Sequence, residues 1–207
     1  MARNVDYYFT VISPWAYIGH KPFMEIVRRN GAQVTYKPVP LGEVFAETGG
    51  LPLAKRAPAR QRYRWMELQR WRAKRGLNFN LQPKHWPLDG SLADRFVIAT
   101  VMAGKDPDQL LRAAFAGIWE KERNLADEAT IAALGREAGL DAAALLAAAK
   151  QDATMAAYQK NRDAAIAAGA FGSPAFVIDG EVFWGQDRLE FVDDMLTSGR
   201  KAFAALA

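Results

Sequence analysis

The chain contains no cysteine. It therefore has no disulfide, no thiolate nucleophile and no cysteine-based metal site. It cannot exchange thiols and disulfides with its own side chains. Any sulfur chemistry must use a sulfur brought in from outside. Histidine is almost as scarce, with only His20 and His85, far apart in the chain. No metal centre is expected from so thin a donor set. There is no uninterrupted apolar run of about 18 or more residues, so no membrane span is expected. Met1-Ala2-Arg3-Asn4 passes straight into strand-like sequence, without the apolar core of a signal peptide. The expected compartment is the cytoplasm. A strong excess of either charge is also missing: 27 Lys and Arg stand against 23 Asp and Glu, a net +4. That balance suits anionic small molecules and is too mild to argue for nucleic acid.

What is present suffices for one sizeable core, or a core with a helical insertion. The chain has 207 residues, 50% of them hydrophobic. Val5 to Ile12 reads as a buried strand. Ser13 follows as a helix N-cap, and Pro14 sits where a missing N–H costs nothing. The helix is predicted to run to about Asn30-Gly31, with a kink or broken start at Pro22. Gln33 to Pro40 reads as a second strand, so the crossover implies a parallel, right-handed βαβ unit.

From Leu41 the character changes. Thr48-Gly49-Gly50-Leu51-Pro52 reads as a loop. Helices are predicted over Ala59–Lys74, from Ser91 to Gly104, from Asp106-Pro107 to Lys121, and over Asp127–Ala138, Asp141–Lys150 and Asp152–Ala168. Asp94, three residues after Ser91, reads as a capping-box variant. Strands then return: Pro174–Ile178, an Asp179-Gly180 hairpin turn, and Val182-Phe183-Trp184. A last helix over Arg188–Leu196 faces Leu189, Val192 and Leu196 inward. The predicted fold is α/β, thioredoxin-like with an inserted all-helical domain. Residues 1–40 and 169–207 would form the thioredoxin-like part and 41–168 the insert.

Two stretches carry the chemistry. A hydroxyl at Ser13 stands at a helix N-terminus, where unpaired N–H groups and the helix dipole favour an anion. The same residue can be a cap and nothing more. Ser173-Pro174 opens the third strand. A cis bond there would free the Ser173 backbone to pair with an extended peptide; a trans proline starting an edge strand is the alternative. In Trp184-Gly185-Gln186-Asp187-Arg188, Asp187 suits an ammonium group and Arg188 a carboxylate. Gln186 or Asp187 can equally cap the last helix.

Ser13-Pro14-Trp15-Ala16-Tyr17, Phe171-Gly172-Ser173-Pro174 and Phe183-Trp184-Gly185-Gln186-Asp187-Arg188-Leu189 together resemble one family. It is that of the 2-hydroxychromene-2-carboxylate isomerases, DsbA-like relatives of the kappa-class glutathione transferases. The resemblance spans nearly the whole chain. It implies a glutathione-dependent isomerase that interconverts 2-hydroxychromene-2-carboxylate and trans-o-hydroxybenzylidenepyruvate-type compounds by reversible thiolate addition. A kappa-type transferase and a non-catalytic glutathione- or peptide-binding module are the alternatives. By the same resemblance Ser13 contacts the glutathione sulfur. Ser173, Pro174, Trp184, Gly185, Gln186, Asp187 and Arg188 hold the tripeptide. The family's frequent Asn after the second strand is absent; that region reads Thr48-Gly49-Gly50-Leu51-Pro52 here.

For the aromatic carboxylate substrate, Gly49, Lys84 and Trp86 are candidate pocket residues, with Trp86 placed to stack on a ring; a surface loop is the alternative for the Lys84–Trp86 segment. The basic, aromatic stretch from Lys55 to Arg75 includes Arg56, Arg60 and Arg64. It is read as an amphipathic helix with a solvated face, rather than a nucleic-acid patch; a middle reading places a few of these cations near an anionic substrate. The expected partners are glutathione, a small aromatic acid and, as the common closed assembly, a second copy in a homodimer.

Overall fold

A computed structural model describes residues 2–204. Strand β1 (Asn4–Phe9) ends three residues earlier than predicted, and helix α1 (Pro14–Arg29) follows. Thr10 to Ser13 form the turn between them. There Ser13 N–H bonds back to the Thr10 carbonyl at 3.1 Å. Helix α1 runs unbroken through Pro22. Strand β2 (Gln33–Pro38) pairs parallel with β1, Asn4 opposite Gln33 through to Phe9 opposite Pro38.

Between the second and third strands, the described residues fold only into helices. These are α2 (Leu41–Thr48), α3 (Pro58–Lys74), α4 (Ser91–Met102), α5 (Asp108–Trp119), α6 (Glu128–Glu137), α7 (Ala142–Ala148) and α8 (Asp152–Ala167). Helix α2 was not predicted. It has no side-chain cap at Pro40 and buries only Val44, and Gly49 ends it at φ 76°. Strands β3 (Ala175–Ile178) and β4 (Glu181–Trp184) form the hairpin, and α9 (Leu189–Ser198) closes the fold. The sheet order is β2-β1-β3-β4, with β3 antiparallel to β1.

The two-residue period of the strands gives each sheet face its own layer. Tyr7, Phe9 and Phe176 point to one side and stack, with Tyr7 4.3 Å from Phe9 and 5.2 Å from Phe176 between ring centres. They join a single apolar cluster with Phe23 of α1, Phe96 of α4, Phe115 and Trp119 of α5, and Val192 of α9. Tyr8, Ala175 and Val177 point to the other side, against Val44 of α2 and Ala165 of α8. The core is thus continuous from the sheet into the helices. On α9 the buried face is Leu189, Val192 and Met195, with Leu196 at its margin.

Candidate active site

The turn after β1 is stitched to its surroundings by hydroxyls. Ser13 is the N-cap of α1, accepting from Ala16 N–H at 3.2 Å. Its hydroxyl donates to the Ser173 carbonyl at 3.0 Å. The Ser173 hydroxyl in turn accepts from Thr10 N–H at 3.1 Å. The Ser173–Pro174 bond is cis, the first of the two sequence alternatives, and a second cis bond joins Trp86 to Pro87. One expectation needs correction. The Ser173 carbonyl is not free, because the Ser13 hydroxyl occupies it.

Beneath this turn lies a carboxylate that the sequence reading misassigned. Asp94 does not cap its helix; it is 1% exposed and points into the protein. Its Oδ1 accepts from Val11 N–H, and its Oδ2 accepts from the Thr10 and Tyr158 hydroxyls, all at 2.8 Å. The acid thereby ties α4 and α8 to the turn that ends in Ser13. Burial pushes its pKa up to about 7, against the opposing pull of these three donors.

The other predicted residues gather around two adjoining cavities. The first, about 470 Å³, is lined by Trp15, Ser173, Trp184, Gly185, Gln186, Asp187 and Arg188, together with α3 residues. The second, about 310 Å³, is lined by Ser13, Phe45, Gly49, Trp86, Phe171, Ser173 and Trp184. Trp15, Trp184 and Ser173 border both. Pro174 is buried behind Ser173 and lines neither, and its carbonyl accepts from Gly185 N–H at 2.9 Å.

Gly185 sits at φ 104°, a backbone state that side chains rarely adopt, and aims the Gln186–Arg188 turn back at α1. Gly19 of α1 receives that turn. A Cβ there would lie 2.6 Å from the Gln186 Cβ, so only glycine allows this approach. Neither Gln186 nor Asp187 caps α9, whose N-cap Arg188 position has no side-chain bond. Gln186 is buried, and Asp187 pairs with Arg188 at 2.7 Å, 44% exposed.

Two stretches with alternative sequence readings separate here. Lys84 is exposed and lines neither cavity; the segment turns Trp86 inward instead, 4.9 Å from Trp119 between ring centres. Helix α3 is not simply a solvated basic face. Arg64 is 8% exposed, and Arg56, Arg60 and Arg64 border both cavities. Of the two histidines, His20 is buried and bonds Asp108 at 2.9 Å. Among the described residues no cluster of three acidic or imidazole side chains could hold a metal ion.

Residues 4–197 match the DSBA-like thioredoxin domain. The chain belongs to the DSBA-like thioredoxin family. It is 28% identical to a 2-hydroxychromene-2-carboxylate isomerase of Sphingobium xenophagum over 95% of this chain and 99% of that one. It is 23% identical to glutathione S-transferase kappa 1 of Caenorhabditis elegans, over 93% of this chain and 90% of the relative. Its fold superimposes on a solved 2-hydroxychromene-2-carboxylate isomerase with a TM-score of 0.78 and 21% identity, covering 94% and 95% of the two chains. Isomerases and a kappa transferase are therefore its relatives along nearly the whole length, and the solved isomerase shares its fold. In this chain the turn into α1 reads Ser13-Pro14-Trp15-Ala16, without cysteine.

Proposed function

We propose that this protein is a glutathione-dependent isomerase of the cytoplasm. It interconverts 2-hydroxychromene-2-carboxylate and trans-o-hydroxybenzylidenepyruvate-type compounds. The observation that carries this reading is the Ser13 hydroxyl at the N-terminus of α1, beside the Ser173 backbone, in a chain without cysteine. The first cavity fits a tripeptide of mixed charge. It offers the Asp187 carboxylate, the Arg188 guanidinium and the Ser173 backbone along one wall. Glutathione, when bound, supplies the thiolate that adds reversibly to the conjugated acceptor.

The protein's own groups do the rest. Ser13 presents a hydroxyl proton at the positive end of α1, which favours the thiolate over the thiol. Ser173 presents its backbone to the peptide unit next to that sulfur. Asp187 meets the glutamyl ammonium, and Arg188 a carboxylate. Phe45, Trp86 and Phe171 give the second cavity an apolar, aromatic wall that takes the ring of the acceptor and thins the water around Ser13.

Two measurements check the reading. With 2-hydroxychromene-2-carboxylate, turnover is expected to require glutathione and to leave its concentration unchanged. Stoichiometric consumption of glutathione would make the protein a transferase of the kappa type, and binding without either reaction a non-catalytic module. Asp187→Asn is expected to raise the glutathione Kd by about three- to tenfold, a modest loss because Asp187 is half exposed and already shares Arg188. An unchanged Kd by calorimetry would reduce Asp187 to the partner of Arg188.

A further inference from the structure

We infer that Arg56, Arg60 and Arg64 form a carboxylate-binding site at the junction of the two cavities, with the buried Arg64 as its anchor. A guanidinium remains protonated in proteins, and burying it without a counter-charge is costly. Arg64 is 8% exposed, and its Nη1 is buried with no protein partner. Its own helix does not neutralise it. Glu67, one turn on, is engaged by Arg70 at 2.5 Å. The Trp65 ring lies 5.3 Å from the Arg64 Cζ, which offers a cation–π contact but leaves that N–H unbonded. Arg56 adds repulsion instead of relief. Burial first, and Arg56 second, pull the Arg64 pKa down to about 10, still above neutral pH. Arg60 acts on Arg56 in the same sense. Arg56 thus repels both Arg60 and Arg64, and all three border both cavities. A carboxylate would relieve the repulsion and satisfy the planar fork of Arg64.

The inference deepens the proposed function and rests on it only for the name of the acid. Two carboxylates have the right chemistry: that of the aromatic acceptor, and the glycyl end of glutathione. Binding measured by calorimetry separates them without any turnover. The probes are trans-2-hydroxycinnamate against its primary amide, and glutathione against the amide of its glycyl carboxyl. Arg64→Met removes the charge and keeps most of the bulk.

Its melting temperature is expected to equal or exceed that of the wild type, since an unpaired buried charge is lost. The Kd of an acid probe is expected to rise about ten- to a hundredfold while its amide is unaffected. A loss on hydroxycinnamate assigns the site to the acceptor, and a loss on glutathione assigns it to the glycyl end. Amides that lose as much as their acids, acids that lose nothing, or a lower melting temperature would each overturn the site and make Arg64 a structural group. Absence of isomerase turnover in the wild type would sink the proposed reaction and leave these binding results to stand or fall alone.

Discussion

Asp94→Ala is expected to cost about 3 kcal/mol or more of folding stability. Three buried donors lose their acceptor at once: Val11 N–H and the hydroxyls of Thr10 and Tyr158. Each buried group left unpaired costs on the order of 1–3 kcal/mol, although losses within one network do not add fully. Asp94→Asn keeps an acceptor for Val11 and should cost far less, and its cost should depend on pH. In the wild type the folded carboxyl titrates at about 7, above its ordinary 3.8. Between those values the unfolded chain has released the proton and the folded chain retains it. Wild-type stability therefore falls as pH rises through this window, by about 1.4 kcal/mol per unit where the difference is complete. Asparagine cannot titrate, so the variant lacks this slope. Its deficit against the wild type should be largest near pH 4 and shrink toward pH 7. Urea denaturation across this range measures it, and a constant deficit would show that Asp94 is ionised in the fold throughout.

Asp94 also shows why the sequence revealed the fold better than the site. Strands, helices and hairpin are written in local code. Tyr7 and Tyr8 alternate between faces, Asp127 and Asp141 cap α6 and α7 through their side chains, and Asp179-Gly180 turns the hairpin. Asp94 obeys no such code. Its distance from Ser91 imitates a cap, while its partners lie 83, 84 and 64 residues away. Helix α2 escapes for a different reason: it is short and uncapped at Pro40, and the Gly49 that ends it at φ 76° reads equally well as a loop glycine. Charge misled in both directions. Lys84, a pocket candidate by its charge, lies in the surface loop that was its alternative, whereas Arg64, on a helix read first as a solvated face, is buried. In a basic helix, nothing local distinguishes the cation that meets solvent from the one that meets a cavity. Gln186, Asp187 and Arg188 were legible as a group because a single glycine-led turn presents them together, but the glycine that receives the turn, Gly19, lies far off in α1.

Ser13→Ala is expected to reduce turnover near neutral pH at least tenfold, about 1.4 kcal/mol in the barrier. The hydroxyl has one proton, and in this structure it lies on the Ser173 carbonyl. To reach a sulfur in front of α1 it must leave that carbonyl, which then needs another donor. An extended peptide aligned along Ser173 brings a backbone N–H for that purpose. In the proposed reaction, seating the peptide would therefore release the Ser13 proton. The alanine variant loses the proton but retains Pro14, the helix dipole and the Ser173 backbone, so glutathione affinity should change little. The loss of the cap bond to Ala16 should cost about 1 kcal/mol of stability. What should move is the titration of the bound thiol. Without the hydroxyl the thiolate is disfavoured, its pKa rises, and the acid limb of the pH–rate profile shifts upward. Raising the pH should recover part of the lost rate. Thiolate absorbance of the glutathione complex reads the same shift independently of turnover. A profile that overlays the wild type, with only the stability changed, would leave Ser13 as a helix cap and place the activation of sulfur elsewhere at the N-terminus of α1.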